Sequence, residues 1–427
     1  MSQPLSVTII GLNYQPETTG NAPYTSSLAE GLQSRGWETH VITTFPHYPT
    51  WRLPSQGVAW SASSAESGVL VDRKLHYVPG SPRGYRRLLS EVSFGLRALA
   101  ARWGQPDVVL LVSPALFASV FGLIRAKFGF RRTPVVLWVQ DIYTVGLEET
   151  AQGGKLVTGV VRRVERWLMR NSDEVVVIHE RFAEVLSERV GVAAGPLSVV
   201  RNWTHLPELP PVDRDAVRRT FGWSPSDVVV LHAGNMGVKQ GLENVVEAAR
   251  LSVERSSPVR FVLLGGGSER DRLIATAGEL ASIDFLETLE EERYQAAMAS
   301  ADILLVNEKS GVASMAVPSK LTSYFSSGRP VLAATDPGSI TESEVKAAGA
   351  GVVVAADDPT ALLREAEALG ADPARAGELG ARGRAFRRAN LAEEAGIERY
   401  AQVLTAHAVR GNRKHRSPRS RSRSLGN

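Results

Sequence analysis

The chain has 427 residues, of which 43% are apolar and 22% charged, and it contains no cysteine. This composition is typical of a soluble protein with two or more domains, and it excludes disulfides, thiolate catalysis and cysteine-ligated metals. The longest apolar stretch, residues 115–124, is too short to span a membrane, and residues 1–12 lack the basic start of a signal peptide. We therefore expect a cytoplasmic protein.

The net charge of +4 arises at the C-terminal end of the chain. Seven of the 49 basic residues lie between Arg410 and Arg423 with no acid among them, which leaves 42 basic against 45 acidic residues elsewhere. Residues 409–427 have few apolar side chains, so we predict a disordered basic tail. Such a tail favours an anionic membrane surface over nucleic acid, because no aromatic residue is interleaved with the arginines.

Short apolar segments alternate with longer amphipathic stretches, a pattern typical of parallel sheets covered by helices. Strands are predicted at 7–12, 40–44, 69–78, 108–112, 135–139, 174–178 and 197–200. After a proline-rich segment at 207–211, strands are predicted at 228–232, 260–264, 283–285, 303–306, 331–334 and 351–354. We predict an α/β protein with doubly wound, Rossmann-like domains at 1–206 and 207–408, the last helix being able to cross back to the first domain.

The segment most specific for chemistry is 234–241, Gly-Asn-Met-Gly-Val-Lys-Gln-Gly, between a predicted buried strand and a helical pattern. In open α/β sheets, ligands bind beyond the carboxyl ends of the strands. The glycines let backbone N–H groups approach an anion, and Lys239 adds a positive charge near the start of the next helix. The segment predicts a phosphate site.

Other strand ends carry similar segments. Gly20 and Asn21 lead into a helix after the first strand, and Asp141 follows the strand 135–139. Glycines 265–267 follow the strand 260–264, and a loop closing with Pro-Ser-Lys at 318–320 follows 303–306. Their shared position at strand ends favours a binding function over ordinary turns.

Several other patterns are assigned structural roles. Asp213-Arg214-Asp215 imitates a metal-binding Asp-x-Asp, but it precedes a helix and is best explained as an N-cap. His232, inside an apolar strand, is expected to be structural, whereas His47 is a candidate for contact with a substrate. The basic, amphipathic stretch between Arg83 and Trp103 fits equally a helix packed on its own domain and one lying in a lipid interface.

Taken together, the motifs resemble family 4 of the GT-B glycosyltransferases, in the WcaI-like and WbuB-like branch of exopolysaccharide and O-antigen enzymes. The motifs that carry the resemblance are 14–17 with Gly20, 46–49, 139–143, 201–203, 234–241, 264–273, and 318–321 followed by 328–331. The resemblance extends to about residue 408. It implies two Rossmann-like domains facing across a cleft, and retaining transfer from a nucleotide-diphosphate-sugar donor to a saccharide acceptor, such as a polyprenyl-diphosphate-linked one.

The resemblance also implies roles for individual residues in the transfer. Lys239 would neutralise the donor diphosphate as the glycosyl bond breaks. Gly20 and Asn21 would meet the same diphosphate from the first domain, and Asp141 would face the transferred sugar or the acceptor hydroxyl. No cofactor and no metal are expected, and the enzyme would work in the cytoplasm or at the inner face of the membrane.

The second domain would bind the donor. Asn235 and Gly237 would shape the lysine turn, while Gly265 and Gly266 would pass beneath the nucleotide. The segment after the 303–306 strand would contact phosphate, ribose or donor sugar through Ser319, Lys320 and Leu321.

The chain departs from the family pattern at four places, one of which is 234–239, where the arginine that often precedes the diphosphate lysine is missing. Met315 and Ser323 stand where many members have a pair of glutamates, the second of which binds ribose, and Glu308 is nearby but out of register. Gln140 stands where many have histidine, before Asp141. A nucleotide-sugar 2-epimerase and a catalytically lapsed binding protein of surface-polysaccharide assembly therefore remain alternatives to the transferase.

Overall fold

The computed structural model describes residues 4–18, 20–80, 85–129, 131–149, 155–192, 196–204, 212–311 and 319–416. The chain divides into two compact units. Residues up to Asn202, together with residues from Glu393 onward, form the N-terminal unit, and Trp203–Ala392 form the C-terminal unit. The predicted proline linker at 207–211 lies outside the described residues.

The N-terminal unit contains one eight-stranded sheet. Its strands are β1 (Ser6–Ile10), β2 (Glu38–Thr44), β3 (Ser61–Glu66), β4 (Val69–Lys74), β5 (Val108–Val112), β6 (Val135–Val139), β7 (Glu174–Val177) and β8 (Leu197–Val199). Their order is β3-β4-β2-β1-β5-β6-β7-β8, and neighbours are parallel except β3, which is antiparallel to β4. The predicted strand 69–78 ends at Lys74, and β3 was not predicted because its small, polar sequence lacks an apolar pattern.

Helices cover both faces of this sheet. They are α1 (Ala22–Ser34), α2 (Tyr85–Ala100), α3 (Leu116–Phe128), α4 (Tyr143–Glu149), α5 (Lys155–Asn171) and α6 (Glu180–Val185). The crossovers through α2, α3 and α5 run in one direction along the sheet, so their right-handedness places the three helices on one face. In agreement, α3 packs against both α2 and α5. The crossover through α1 runs the other way and lies on the opposite face.

The C-terminal unit contains a six-stranded parallel sheet. Its strands are β9 (Val228–Ala233), β10 (Val259–Leu264), β11 (Ile283–Leu286), β12 (Ile303–Asn307), β13 (Val331–Ala334) and β14 (Gly351–Val354). Their order, β11-β10-β9-β12-β13-β14, reverses between β9 and β12. This reversal is the topological switch point, where a parallel sheet leaves room for a ligand.

Two apolar layers bury the faces of this second sheet. Its helices are α7 (Arg214–Thr220), α8 (Glu243–Glu254), α9 (Arg270–Ala277), α10 (Glu291–Ser300), α11 (Ser319–Ser327), α12 (Ile340–Ala348), α13 (Pro359–Ala371) and α14 (Pro373–Phe386). Phe261 and Leu263 belong to the core cluster that includes residues of α8 and α13, and Val262 and Leu264 to the cluster with residues of α10 and α11. Burial on both sides explains why the strands are continuously apolar. The predicted doubly wound architecture is confirmed in both units.

The last helix, α15 (Glu393–Arg416), belongs to the N-terminal unit. It packs against α1, where a Cβ atom on Gly31 would lie 2.5 Å from Ile397 Cδ1. Its Tyr400 ring lies 4.7 Å from the ring of Trp138 on β6. The final helix is therefore part of the core of the first unit.

The prediction of disorder from residue 409 is wrong for residues 409–416. α15 continues through Arg416, because each residue added to an existing helix gains a backbone hydrogen bond. Close packing also supports this end, since a Cβ atom on Gly411 would lie 2.8 Å from Pro134 Cγ. Residues 417–427 lie outside the described residues.

Candidate functional site

Two glycine turns lie side by side at the carboxyl ends of the neighbouring strands β9 and β10. Gly234 and Gly265 have φ values of +129° and +130°, which L side chains rarely adopt. A Cβ atom on Gly265 would lie 2.3 Å from the Gly234 carbonyl oxygen. The Gly234 N–H donates to Leu264 O at 2.8 Å, and the Met236 N–H donates to Gly266 O at 2.7 Å. The structure thus brings the two predicted segments together.

Lys239 lies on a single 3-10 turn, Val238–Gln240, immediately after the first of these glycine turns. Its side chain is exposed, as is that of Asn235. The Gly237 N–H donates to Gln240 Oε1 at 3.0 Å, which closes the turn. Lys239 therefore presents its ammonium group from a backbone that is locally fixed.

Asn307, at the end of β12, holds this lysine turn in place and was not predicted from the sequence. Its buried Nδ2 donates to Gln240 O at 2.8 Å and to Gly241 O at 2.9 Å. The Lys309 N–H donates to Lys239 O at 2.9 Å, so a second exposed lysine follows the same strand end. An asparagine closing an apolar strand was the available signal for this contact.

Lys320, in the first turn of α11, lies at the switch point against β9. A Cβ atom on Gly234 would lie 2.9 Å from Lys320 Cε, and Lys320 Nζ lies 2.9 Å from Nε2 of His232. Desolvation lowers the pKa of Lys320 to about 8, although Glu308 opposes the shift. Desolvation, and next the positive charge of Lys320, lower the pKa of His232 to about 3. The neutral imidazole can therefore accept a hydrogen bond from the ammonium, so His232 contacts a predicted site residue.

The predicted segment 319–321 divides between the site and the core. Ser319 begins α11, whereas Leu321 is only 1% exposed and packs in the core cluster with Tyr324 and Phe325. The prediction that Leu321 binds the donor is therefore wrong, because its side chain is directed into the apolar layer. Ser323 is also buried, and Met315 lies outside the described residues.

Glu308 follows β12 and is the carboxylate that the structure places near Lys320. Its Oε1 accepts from Thr341 Oγ1 at 2.7 Å, and its other oxygen accepts from the Thr335 hydroxyl. Thr335 directly follows β13, and Thr341 lies in the first turn of α12. Their two hydroxyls fix the orientation of the carboxylate. Glu308 is out of register with the glutamates of the family pattern, but it lies at the carboxyl edge of the second sheet, directly after β12.

Gly20, Asn21 and Asp141 lie at the corresponding edge of the N-terminal sheet. Gly20 has φ +66°, and Asn21 immediately precedes α1. Asn21 Nδ2 donates to Ser113 O at 3.3 Å, and Ser113 Oγ donates to Asp141 O at 3.4 Å. Ser113, which follows β5, thus links Asn21, in the segment between β1 and α1, with Asp141, which follows β6. It was not predicted, because a single serine at a strand end carries little signal.

Two buried carboxylates fix the turn that presents Asp141. Glu165 on α5 accepts from the Tyr143 N–H at 2.8 Å and the Thr144 N–H at 3.2 Å, while Glu91 on α2 accepts from the Tyr143 hydroxyl at 3.0 Å. Burial raises the pKa of Glu91 to about 7 and also raises that of Glu165. The Asp141 side chain is exposed, yet partial desolvation by surrounding protein raises its pKa as well.

His47 does not reach the surface as a substrate contact would require. It is 4% exposed, and its backbone N–H donates to Glu17 Oε1 at 2.7 Å. Desolvation lowers its pKa, so the ring is neutral support for the loop after β2. Asp213 acts as predicted, because its carboxylate accepts from the Ala216 N–H at 3.1 Å at the start of α7.

Comparison with protein families assigns both halves of the chain. Residues 19–203 match the family described as "Glycosyl transferase 4-like domain", and residues 213–386 match "Glycosyl transferases group 1". The chain is 33% identical over 339 residues to WcaI of Escherichia coli, named for colanic acid biosynthesis, covering 76% of this chain and 82% of the relative. It is 26% identical over 288 residues to the glycosyltransferase WbjE of Pseudomonas aeruginosa, covering 66% and 70%.

Solved structures with low sequence identity share the fold. Sucrose-phosphate synthase from Thermosynechococcus elongatus aligns with a TM-score of 0.67 at 18% identity, covering 94% of this chain and 98% of that protein. Anabaena HepE in complex with UDP aligns with a TM-score of 0.63 at 15% identity, covering 94% and 100%. These likenesses show the GT-B fold.

Proposed function

Because this chain belongs to family 4 of the GT-B glycosyltransferases, in the branch that contains WcaI, we propose that its donor is a nucleotide diphosphate sugar bound by the C-terminal unit. The observation that carries this proposal is the pair of interlocked glycine turns at Gly234 and Gly265, with Lys239 and Lys320 beside them. Glycine turns accommodate phosphate and nucleotide close to the backbone, and the lysines supply countercharge. HepE, similar in fold, was solved with UDP and with UDP-glucose.

The lysines would act mainly on the leaving group. When the bond between the sugar and the diphosphate breaks, negative charge grows on the diphosphate oxygens, and a fixed positive charge stabilises that state more than the ground state. Lys239 follows β9 and Lys320 lies in the first turn of α11, so the two positive charges would reach the diphosphate from different elements. Under this proposal no metal is required, and Asp141 in the N-terminal unit would bind the acceptor hydroxyl or the transferred sugar.

We propose that transfer retains the anomeric configuration and that the acceptor is a saccharide linked to a polyprenyl diphosphate. Membership of the WcaI-like branch supports both proposals, which would place the reaction at the cytoplasmic face of the membrane. In the part of the chain that the structure describes, no helix has the length and apolarity to cross a bilayer. We propose that contact with the lipid-linked acceptor is peripheral.

Helices α2, α3 and α5 provide a surface suited to that contact. Each has an exposed apolar stripe: Leu89 and Leu96 on α2, Phe128 on α3, and Val160 and Trp167 on α5. The acidic residues of these three helices, Glu91 and Glu165, are both 2% exposed. The charged side chains that the helices expose are therefore all positive. Apolar side chains flanked by cations suit an anionic lipid interface.

A thermal-shift screen with UDP, GDP and their sugars tests the donor proposal first. A ligand that binds only the folded state raises the melting temperature, so one nucleotide should stabilise the protein. Stabilisation by none of them would contradict the proposal. Incubation of the protein with UDP-GlcNAc alone then separates transfer from the alternative 2-epimerase, which would convert this donor without an acceptor. Transfer, or hydrolysis of any donor, would remove the catalytically lapsed alternative.

Membrane contact is tested by sedimentation with liposomes of anionic and of neutral lipid. Phe128→Ser and Trp167→Ser remove exposed apolar contacts from α3 and α5 and should reduce binding to anionic liposomes. The matched control is Val253→Ser, which removes an exposed apolar side chain from α8 in the other unit. Equal binding by all variants would show that this helical face is not the contact.

A further inference from the structure

The loop after β2 presents two aromatic rings at the carboxyl edge of the N-terminal sheet. Tyr48 is 38% exposed and Trp51 is half-buried. Their ring centroids lie 6.4 Å apart with the planes at 82°, so the rings form a corner. The loop adjoins Gly20, where a Cβ atom would lie 3.3 Å from Tyr48 Cε1. The aromatic corner is therefore next to a predicted site residue.

Trp51 has a backbone conformation that is unfavourable for its residue type. Its φ is +53°, a region that glycine adopts freely but that is strained for other L residues. Such strain persists only where the surroundings impose it, and it is concentrated at functional sites. A tryptophan at a position better suited to glycine points to a role for the ring itself.

Buried groups beneath the loop impose this conformation. Glu17 Oε1 accepts from the backbone N–H groups of His47 and Tyr48 at 2.7 and 2.8 Å. The His47 ring contacts the Trp51 ring edge-on at 5.4 Å and the His76 ring at 4.9 Å. Desolvation, and next repulsion from His47 in its protonated form, lower the pKa of His76 to about 3, so the His76 ring is neutral. The loop that carries the two outer rings is thus held from below by the Glu17 carboxylate and two neutral imidazole rings.

We propose that the corner of Tyr48 and Trp51 is a platform for a pyranose ring of the acceptor saccharide, with the Trp51 ring as its stacking face and the nearly perpendicular Tyr48 ring as its side wall. One face of a pyranose exposes mainly C–H groups, which pack well on a flat aromatic surface. Tyrosine and tryptophan supply large, rigid contact areas at a low cost in conformational entropy, and their polar atoms can bond to sugar hydroxyls. The proposal rests on the proposed function insofar as the bound sugar is the acceptor, and it assigns acceptor specificity to this loop.

Trp51→Gly is the informative variant, because glycine tolerates φ +53° and the substitution deletes the ring while preserving the loop backbone. Trp51→Phe restores an aromatic surface and should recover part of the binding. The matched control is Trp60→Ala, which removes another exposed tryptophan of the same unit, one that stacks on Arg97 at 3.8 Å. Circular dichroism and melting temperature confirm that each variant is folded.

Binding is measured on the full chain by saturation-transfer NMR with a panel of methyl pyranosides and no donor. We expect saturation of at least one pyranoside in the wild type, and roughly tenfold weaker binding in Trp51→Gly, which corresponds to ~1.4 kcal/mol. Trp60→Ala should bind as the wild type does. Unchanged binding in Trp51→Gly, an equal loss in Trp60→Ala, or no saturation in the wild type would each overturn the platform.

The same variants separate this inference from the proposed function. With an active donor, Trp51→Gly should raise KM for the acceptor while leaving the binding of the nucleotide unchanged. If the wild type binds pyranosides through Trp51 but transfers no sugar from any donor, the transferase proposal fails and the platform stands. If transfer proceeds with an unaltered acceptor KM in Trp51→Gly, the platform fails and the transferase proposal stands.

Discussion

Donor binding should weaken as the pH rises through about 8, because Lys320 loses its charge there. Desolvation lowers the pKa of this lysine from 10.5 to about 8 in the free protein. A bound diphosphate would stabilise the ammonium and raise its pKa again, so binding and protonation are linked. The affinity for the donor should therefore fall as the pH rises, because the protonated form of Lys320 binds the diphosphate and a higher pH depletes that form.

The size of the effect follows from the same value. Each pH unit above about 8 lowers the protonated fraction of Lys320 about tenfold, and affinity for the diphosphate should fall by up to the same factor, or ~1.4 kcal/mol. Below about pH 7 the lysine is almost fully charged, and its contribution to affinity should be constant. At about pH 8, binding should take up roughly half a proton.

Isothermal titration calorimetry with the nucleotide that stabilises the protein measures both quantities. Titrations from about pH 7 to 9.5 give the affinity, and buffers with different ionisation enthalpies give the proton uptake. Lys320→Arg is the control, because arginine stays charged over this range and should flatten the profile. An affinity that is independent of pH in the wild type, with no proton uptake at about pH 8, would refute the argument.

Three further predictions concern the leaving group, the metal and the C-terminal end. Lys239→Ala should abolish transfer in a folded protein, and kinetics showing activity within about threefold of wild type, only ~0.7 kcal/mol of barrier, would contradict its role. Transfer should survive EDTA, since the lysines meet the diphosphate charge; loss on chelation and recovery with magnesium or manganese would count against this mechanism. Truncation after Arg416 should leave the melting temperature and transfer to a soluble acceptor unchanged, but it should weaken the salt-sensitive sedimentation with anionic liposomes. If the truncated protein binds these liposomes as well as the full chain at low salt, the membrane contact lies elsewhere.

The sequence was informative about where the strands end and less so about what the residues at those ends contact. The apolar pattern located the strands beside Gly234 and Gly265 because burial on both faces makes parallel strands uniformly apolar. The contact between Lys320 and His232 joins residues 88 positions apart, and only the packed sheet brings them together. Leu321 was misassigned because a motif does not reveal which side of the helix faces the core.

Departures from a family motif were equally hard to interpret from sequence. Glu308 was known to be out of register, but the sequence did not show its two threonine partners, Thr335 just after β13 and Thr341 in α12. β3 was not predicted because its pairing depends on the backbone of β4 and not on apolar side chains. The end of α15 was misjudged because composition does not show that Gly411 packs on Pro134.

The return of α15 to the N-terminal unit determines the order in which the protein can assemble during synthesis. The C-terminal unit is one uninterrupted segment, Trp203–Ala392, whereas the N-terminal unit is interrupted by it. Until Glu393 and later residues leave the ribosome, the first unit lacks Tyr400 against Trp138 and Ile397 against Gly31. The unit translated second can therefore complete its core first, and a nascent chain ending before residue 393 would expose apolar surface that chaperones bind.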